Sequence, residues 1–265
     1  MKTLFFLFAC FIAINSKAVV KRHDISAENY IVEKKPEYLI DMPHEGHGVL
    51  IDPHWVLTVA HTIFYDYVGK KLKIAAKDYE IESVYIHPEY IEPSENLLNG
   101  DIAPLMNFFR SRSDIALIKL TSAVSGVEPI KLYKGTSEKG KKITVFGKGA
   151  GGNGLTGENL TTKSLGVLNQ FHNVVENTEG NWLIFTFDAP SNALPLEGMH
   201  GSGDSGGASI ILQEGVAHLV GLSSWQLAYG DISNFKGGLY GTRAYQVRVS
   251  NYQNWISSVL GKAVN

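Results

Sequence analysis

Cysteine is nearly absent from this chain: Cys10 is the one cysteine in 265 residues. It lies inside the apolar run 4–14, which follows Lys2 and precedes the small residues Ser16 and Ala18. This pattern is typical of a secretory signal peptide, and the run is too short to span a bilayer as a helix. We therefore expect residue 18 to end a leader that is removed. The mature chain would then have no disulfide and would depend on its core for stability.

A large excess of either charge is also absent: the chain has 24 Lys and Arg residues and 26 Asp and Glu residues, which gives a net charge of −2. Nucleic-acid-binding domains usually carry a basic excess, which is missing here. After the leader, no apolar run approaches the length of a transmembrane helix. We expect a secreted or periplasmic protein with neither nucleic acid nor, once the leader is removed, membrane as a partner.

Short strand-like segments dominate the mature sequence. They are rich in β-branched and aromatic residues and are separated by Gly, Asn and Pro, which predicts an all-β protein. Helical periodicity is recognisable only near the end, where Ser250 is a candidate N-cap and Gly261 a candidate stop. The clearest strand-like segments are 48–51, 81–84, 115–120, 143–146, 182–187, 208–212 and 219–225.

Three motifs occur in order along the chain: Thr-Val-Ala-His ending at His61, Ser-Asp-Ile-Ala around Asp114, and Gly-Asp-Ser-Gly-Gly around Ser205. A serine hydroxyl is a weak nucleophile unless a nearby histidine accepts its proton, and a buried carboxylate can orient that histidine. Glycines beside the serine let backbone N–H groups approach a developing oxyanion. The joint occurrence predicts a nucleophile, a base and an orienting group, although each residue alone would be unremarkable.

These motifs resemble those of the trypsin/chymotrypsin family of serine endopeptidases, whose triad has the order His, Asp, Ser. The resemblance implies catalytic roles for His61, Asp114 and Ser205 and an oxyanion hole formed by the N–H groups of Gly203 and Ser205. It implies hydrolysis of protein or peptide substrates through an acyl-enzyme. Many animal members carry several disulfides, so their absence here fits a bacterial member better.

The same resemblance implies two six-stranded antiparallel barrels packed side by side, followed by a C-terminal helix. The expected bounds are about 19–265 for the protease domain, with the first barrel at about 30–130, the second at about 135–248 and the helix at about 250–261. His61 and Asp114 would come from the first barrel and Ser205 from the second.

The resemblance also points to substrate-binding residues. Ser224 and Trp225 match the strand that pairs with the substrate backbone. The residue six positions before the nucleophile, here Met199, would form the floor of the primary specificity pocket, and Gln226 would narrow it. An uncharged floor predicts an apolar or aromatic residue before the cut. His200 beside the floor supports a polar or acidic preference as the alternative, and the opposite wall fits either 237–238 or Ala244.

Activation in this family depends on a new N-terminal ammonium that pairs with the aspartate before the nucleophile, here Asp204. Val19-Val20 directly follows Ala18 and resembles the family's N-terminal segment, so signal peptidase itself would produce the active N-terminus at Val19. The next residues are Lys21-Arg22 rather than two glycines, and they offer a dibasic processing site as an alternative.

Other functions have weaker support. A binding protein on a protease scaffold would usually have lost a triad residue, and an esterase of the α/β-hydrolase class would show the order Ser, Asp, His. The glycine-rich run 147–154 lacks the following helix of a phosphate-binding turn. Asp78, Glu80 and Glu82 alternate as on a solvated strand face, which we favour over a calcium site. We expect no metal and no cofactor.

Overall fold

The computed structural model describes residues 18–161 and 166–261. The predicted signal peptide lies outside the described residues except for Ala18, which is buried. The strands are β1 (Val20–Lys21), β2 (Leu39–Asp41), β3 (His47–Asp52), β4 (Trp55–Thr58), β5 (Lys71–Ile74), β6 (Lys77–Ile86), β7 (Ala116–Leu120), β8 (Lys131–Leu132), β9 (Lys142–Gly147), β10 (Gly152–Asn153), β11 (Gly157–Glu158), β12 (Asn169–Val174), β13 (Asn177–Glu179), β14 (Trp182–Thr186), β15 (Gly198–Met199), β16 (Ala208–Gln213), β17 (Val216–Gln226) and β18 (Arg243–Arg248).

Helical segments are short. The α-helices are α1 (Ala103–Ser111) and α2 (Gln253–Val259). Single turns of 3₁₀ helix cover Ala27–Tyr30, Ala60–Thr62, Glu95–Leu98, Ile232–Asn234 and Val249–Tyr252.

The first sheet is antiparallel and has the strand order β2-β3-β4-β7-β6-β5. Its end strands β2 and β5 contact each other, so the sheet curls into a nearly closed barrel. Because successive side chains on a strand point to opposite faces, β4 serves two cores. Val56 packs with Leu50 and Ile118 in one cluster, whereas Leu57 joins a second cluster that includes residues of the other sheet.

The second sheet has the order β12-β9-β16-β17-β18-β14-β13, with β8 pairing in parallel with β17. A smaller sheet, ordered β11-β10-β1-β15, joins the start of the described chain to the segment before Ser205. The cluster between the sheets includes Leu57, Trp182 and Leu222. The predicted fold class is confirmed as two barrel-like β sheets and a C-terminal helix, with eight rather than six strands in the second sheet.

Two helical details differ from the sequence analysis. Helix α1 lies in a segment without recognised helical periodicity, and its buried residues Leu105 and Met106 join the cluster between the sheets. The C-terminal helix begins as a 3₁₀ turn at Val249, and α2 follows from Gln253. Ser250 is therefore not an N-cap, since it lies inside that turn and its hydroxyl donates to Glu138.

None of the helices in the described part of the chain is both long enough and apolar enough to cross a membrane.

Candidate active site

The three residues of the expected triad come together at the junction of the sheets. His61 lies in the 3₁₀ turn directly after β4, and Asp114 lies two residues before β7, which pairs with β4. This pairing of neighbouring strands explains why residues 53 positions apart in sequence are adjacent. Ser205 lies in the loop between β15 and β16, and its carbonyl oxygen accepts a hydrogen bond of 2.7 Å from the His47 N–H of β3.

His61 bridges the other two side chains. Its Nε2 lies 2.8 Å from Ser205 Oγ, and its Nδ1 lies 2.7 Å from Asp114 Oδ2. The second carboxylate oxygen, Oδ1, accepts the His61 backbone N–H at 2.9 Å. With a carboxylate at Nδ1, the ring proton sits on Nδ1 and Nε2 is left to accept the serine proton. The arrangement can activate a serine hydroxyl as a nucleophile.

Asp114 is fully buried and remains ionised because of its neighbours. Burial alone would raise the pKa of this carboxyl, but His61, Arg112 and the Ser224 hydroxyl together hold its pKa well below the ordinary value. The Arg112 guanidinium lies 3.7 Å from Asp114 Oδ2. Strand β17 carries a register shift between Ser223 and Trp225, and the intervening Ser224 donates its hydroxyl to Asp114. Such a bulge re-aims a side chain.

The turn around Ser205 requires glycine at two positions. Gly203 has a φ of 87° and Gly206 a φ of 76°, in the left-handed region that side chains disfavour. A Cβ on Gly206 would also overlap the His47 carbonyl oxygen and lie 2.7 Å from Thr58 Oγ1. The turn therefore packs directly against the strands that position His61.

The turn that carries Ser205 also contributes backbone N–H groups. Those of Gly203 and Ser205 donate no hydrogen bond to any other described residue. Asp204, between them, is fully buried and holds the loop from within. Its Oδ1 accepts from the Gly149 N–H at 2.6 Å, and its Oδ2 accepts from the Gly201 N–H at 2.9 Å. Two donors presented by one turn can stabilise an oxyanion.

Asp204 also has a histidine neighbour that sequence reasoning missed. His47, itself buried, places Nε2 at 4.0 Å from Asp204 Oδ1. Burial raises the pKa of Asp204 to about 6, although His47 and the backbone N–H groups favour the ionised form. The sequence around His47 gives no signal for this contact, because it forms only when the start of β3 bonds to the turn that carries Ser205.

The predicted N-terminal segment lies close to this aspartate in the fold. Val20 pairs with Met199, five residues before Asp204, and Val19 is fully buried with a positive φ of 51°. A positive φ is unusual for a β-branched residue. Lys21 is also buried. Burial lowers its pKa to about 8, although the negative charge of Asp204 acts to raise it.

A cavity of about 300 Å³ opens beside Ser205. Three of the predicted substrate-binding residues, Ser224, Trp225 and Gln226, line it. Met199 does not: it is fully buried in the core cluster that contains Val20. His200 lines the cavity instead.

Of the two segments expected opposite Gln226, 237–238 contacts its side chain, but neither 237–238 nor Ala244 is among the described residues that line the cavity. Gln226 Oε1 accepts the Gly238 N–H at 2.8 Å, and Gln226 Nε2 donates to the His200 carbonyl oxygen at 2.7 Å. Ala244 is fully buried in the same core cluster as Val20.

Residues 37–256 match the family model described as Trypsin, and the chain belongs to this family of serine proteases. It is 26% identical over 242 residues to vitamin K-dependent protein C of Rattus norvegicus, covering 81% of this chain and 46% of that protein. It is 27% identical over 243 residues to complement C1s subcomponent of Bos taurus, covering 80% and 32%. The chain thus spans less than half the length of these curated relatives.

A solved structure of neuropsin, a serine protease expressed in the limbic system of mouse brain, has the same fold. The TM-score is 0.60 at 18% identity, and the match covers 86% of this chain and 97% of that one.

Proposed function

We propose that this chain is a secreted serine endopeptidase that cleaves peptide bonds through an acyl-enzyme. The observation that carries the proposal is the bridge of His61, with Ser205 Oγ at 2.8 Å on one side and Asp114 Oδ2 at 2.7 Å on the other. A family likeness alone would not require an intact hydrogen-bonded chain of nucleophile, base and orienting carboxylate.

In the proposed reaction, Ser205 Oγ attacks the scissile carbonyl carbon while His61 Nε2 accepts the hydroxyl proton. The carbonyl oxygen becomes an oxyanion held by the N–H groups of Gly203 and Ser205, each contributing about 3 kcal/mol by analogy with single-donor deletions. His61 then gives the proton to the leaving amine, which departs. Water, deprotonated by His61, attacks the acyl carbon and releases Ser205 with its proton restored.

The orienting group is suited to this cycle. The imidazolium formed on His61 faces Asp114, whose pKa is held well below its ordinary value by His61, Arg112 and Ser224 in spite of its burial. The carboxylate therefore stays ionised when His61 is charged and stabilises that charge. Beside it, the segment 224–226 offers a strand edge along which an extended peptide can align.

For activation, we propose that cleavage after Ala18 releases Val19, whose ammonium would then pair with Asp204. The burial of Ala18 and Val19 and the pairing of Val20 with Met199 support this. An ammonium beside Asp204 would lower a carboxyl pKa that burial now raises to about 6. N-terminal sequencing of the active exported enzyme tests the proposal, and a start at any residue other than Val19 rejects it.

The central test is active-site labelling combined with peptide digestion. The purified enzyme should react with a fluorophosphonate probe and cleave a denatured protein, with Ser205→Ala as the matched control that does neither. Labelling without proteolysis would favour an esterase that uses the same residues. Neither labelling nor proteolysis would favour a binding protein on a protease scaffold.

The preference before the cut was predicted to be apolar or aromatic because Met199 was expected to be the pocket floor. Since Met199 lies in the core cluster and His200 lines the cavity, the side chains of the cavity itself have to decide the preference.

A further inference from the structure

A chain of buried polar side chains leads to the cavity beside Ser205. Ser209, Ser223 and Gln246 lie on the adjacent strands β16, β17 and β18, and all three are fully buried. Both serine hydroxyls donate to Gln246 Oε1, at 2.8 Å and 3.1 Å. The other end of that amide, Nε2, lies 3.0 Å from His200 Nδ1. Burying a polar group costs free energy unless it has a hydrogen-bond partner, so the orientation of each of these side chains depends on the next.

These hydrogen bonds determine which nitrogen of His200 carries the proton. Because Gln246 Oε1 accepts from two hydroxyls, Gln246 Nε2 is the end that faces His200, and it can only donate. Nδ1 of His200 is therefore the acceptor, and the ring proton is on Nε2. Burial, together with the charge of His61, lowers the pKa of His200 to about 4, so the ring remains a neutral donor at neutral pH.

His200 Nε2 has no hydrogen-bond partner among the described residues, although it is fully buried. The side-chain amide of the neighbouring Gln226 is engaged elsewhere: its Nε2 donates to the His200 carbonyl oxygen, and its Oε1 accepts from the Gly238 N–H. Since the Nδ1 edge of the ring faces Gln246 and the ring borders the cavity, Nε2–H is the ring donor that is left for an occupant of the cavity. An unpaired buried donor is a cost that a ligand acceptor would remove.

The other charges at the cavity limit what that acceptor can be. Glu45 and Glu158 line it, and no lysine or arginine is among its described lining residues. Glu158 Oε2 accepts the Ser202 N–H at 2.8 Å, which holds this carboxylate at the rim. A carboxylate side chain entering the cavity would meet like charge, and an apolar or cationic one would leave His200 Nε2–H unpaired.

We propose that His200 determines the specificity of the enzyme by selecting a carboxamide side chain, glutamine or asparagine, in the residue before the cut. The amide oxygen would accept from His200 Nε2–H, and the amide NH₂ group has the Glu158 carboxylate as an available acceptor. The cavity borders both Ser205 and Gly203, so the side chain of the residue that supplies the acyl group would occupy it. This inference rests on the proposed endopeptidase function.

The test uses fluorogenic peptides that differ only in the residue before the cut: Gln, Asn, Glu, Met, Leu and Lys. Active enzyme is first counted by fluorophosphonate titration, so that rates refer to competent sites. Methionine matches the length of glutamine without its amide. We expect the better carboxamide substrate to exceed the methionine substrate in kcat/KM by about 10- to 100-fold, as expected for a buried hydrogen bond to substrate.

In His200→Ala, the ratio of kcat/KM for the carboxamide substrate to kcat/KM for the methionine substrate should fall to within about threefold. A general structural loss would instead lower all substrates together. His218→Ala, a partly exposed histidine outside this cavity, is the matched control and should keep the wild-type order. If His200→Ala does not fold, the wild-type comparison of Gln with Met still decides, and His200→Asn, which retains an amide donor, should preserve part of the advantage.

Fastest cleavage after Glu, Lys, Met or Leu by enzyme that labels with the probe overturns this inference and leaves the proposed function intact. Absence of both labelling and cleavage overturns the proposed function and this inference with it.

Discussion

Replacing His200 by glutamine should make the free energy of unfolding less sensitive to acid. Burial and the charge of His61 lower the pKa of His200 from 6.5 to about 4. In the unfolded chain the imidazole takes up its proton near pH 6.5, whereas in the fold it does so only near pH 4. As the pH falls through this window, the unfolded state binds more protons and the folded state loses stability. Each pH unit corresponds to about 1.4 kcal/mol, so the full loss is about 3 kcal/mol.

Asp204 acts in the opposite direction, which dictates the design of the experiment. Burial raises its pKa from 3.8 to about 6, so the folded state takes up this proton first as the pH falls. Between pH 6 and pH 3.8 this stabilises the fold by an amount of similar size. In the wild-type profile the contributions of His200 and Asp204 therefore largely offset each other. The difference between wild type and His200→Gln isolates the histidine, because Asp204 is present in both proteins.

The measurement is urea unfolding followed by tryptophan fluorescence between pH 7.5 and 4, with Ser205→Ala in every protein to prevent autolysis. The free energy of unfolding of wild type minus that of His200→Gln should decrease by about 3 kcal/mol between the ends of this range. The same substitution at His218 measures what an imidazole-to-amide change costs outside the cavity. Parallel profiles for wild type and His200→Gln would refute the assignment of His200 as a buried neutral imidazole.

Two further substitutions test the site. Asp114→Asn should lower kcat by about 10⁴-fold while the fold persists, because an amide at this position favours the wrong tautomer of His61. Steady-state kinetics measures kcat, and circular dichroism checks the fold. A loss below tenfold would contradict the orienting role of Asp114. Gly206→Ala should destabilise the protein by at least about 2 kcal/mol in urea unfolding, because the φ of 76° at Gly206 and the nearby His47 carbonyl oxygen both exclude a Cβ. An unchanged unfolding midpoint would show that the turn relaxes to accept the methyl group.

Specificity illustrates what sequence reasoning could not reach. Met199 and His200 are neighbours, and successive residues of an extended chain point to opposite sides. Counting back from Ser205 identified the segment, but a shift of one residue decides which side chain faces the cavity. Met199 pairs with Val20 and packs in the core, and this leaves His200 for the cavity. The side that each residue faces depends on strand pairing, which neither neighbour encodes alone.

Helix α1 and the contact of His47 with Asp204 were also inaccessible. Helix α1 is only nine residues long, and Leu105 and Met106 gain their partners only when the segment lies over the cluster between the sheets. His47 reaches Asp204 because its N–H bonds the Ser205 carbonyl across a sequence separation that no local pattern reports.

By itself, the sequence determined the all-β class, the order and identity of His61, Asp114 and Ser205, and the need for glycine in the turn at Ser205. These features rest on local chemistry: strand propensity, the residue types that a hydroxyl nucleophile and its base would require, and a backbone conformation that side chains disfavour. The tertiary structure decided how Asp114 is kept ionised, which residues line the cavity, and which nitrogen of His200 is left to donate. Those properties arise from burial and from partners on other strands, so they exist only once the sheets have packed together.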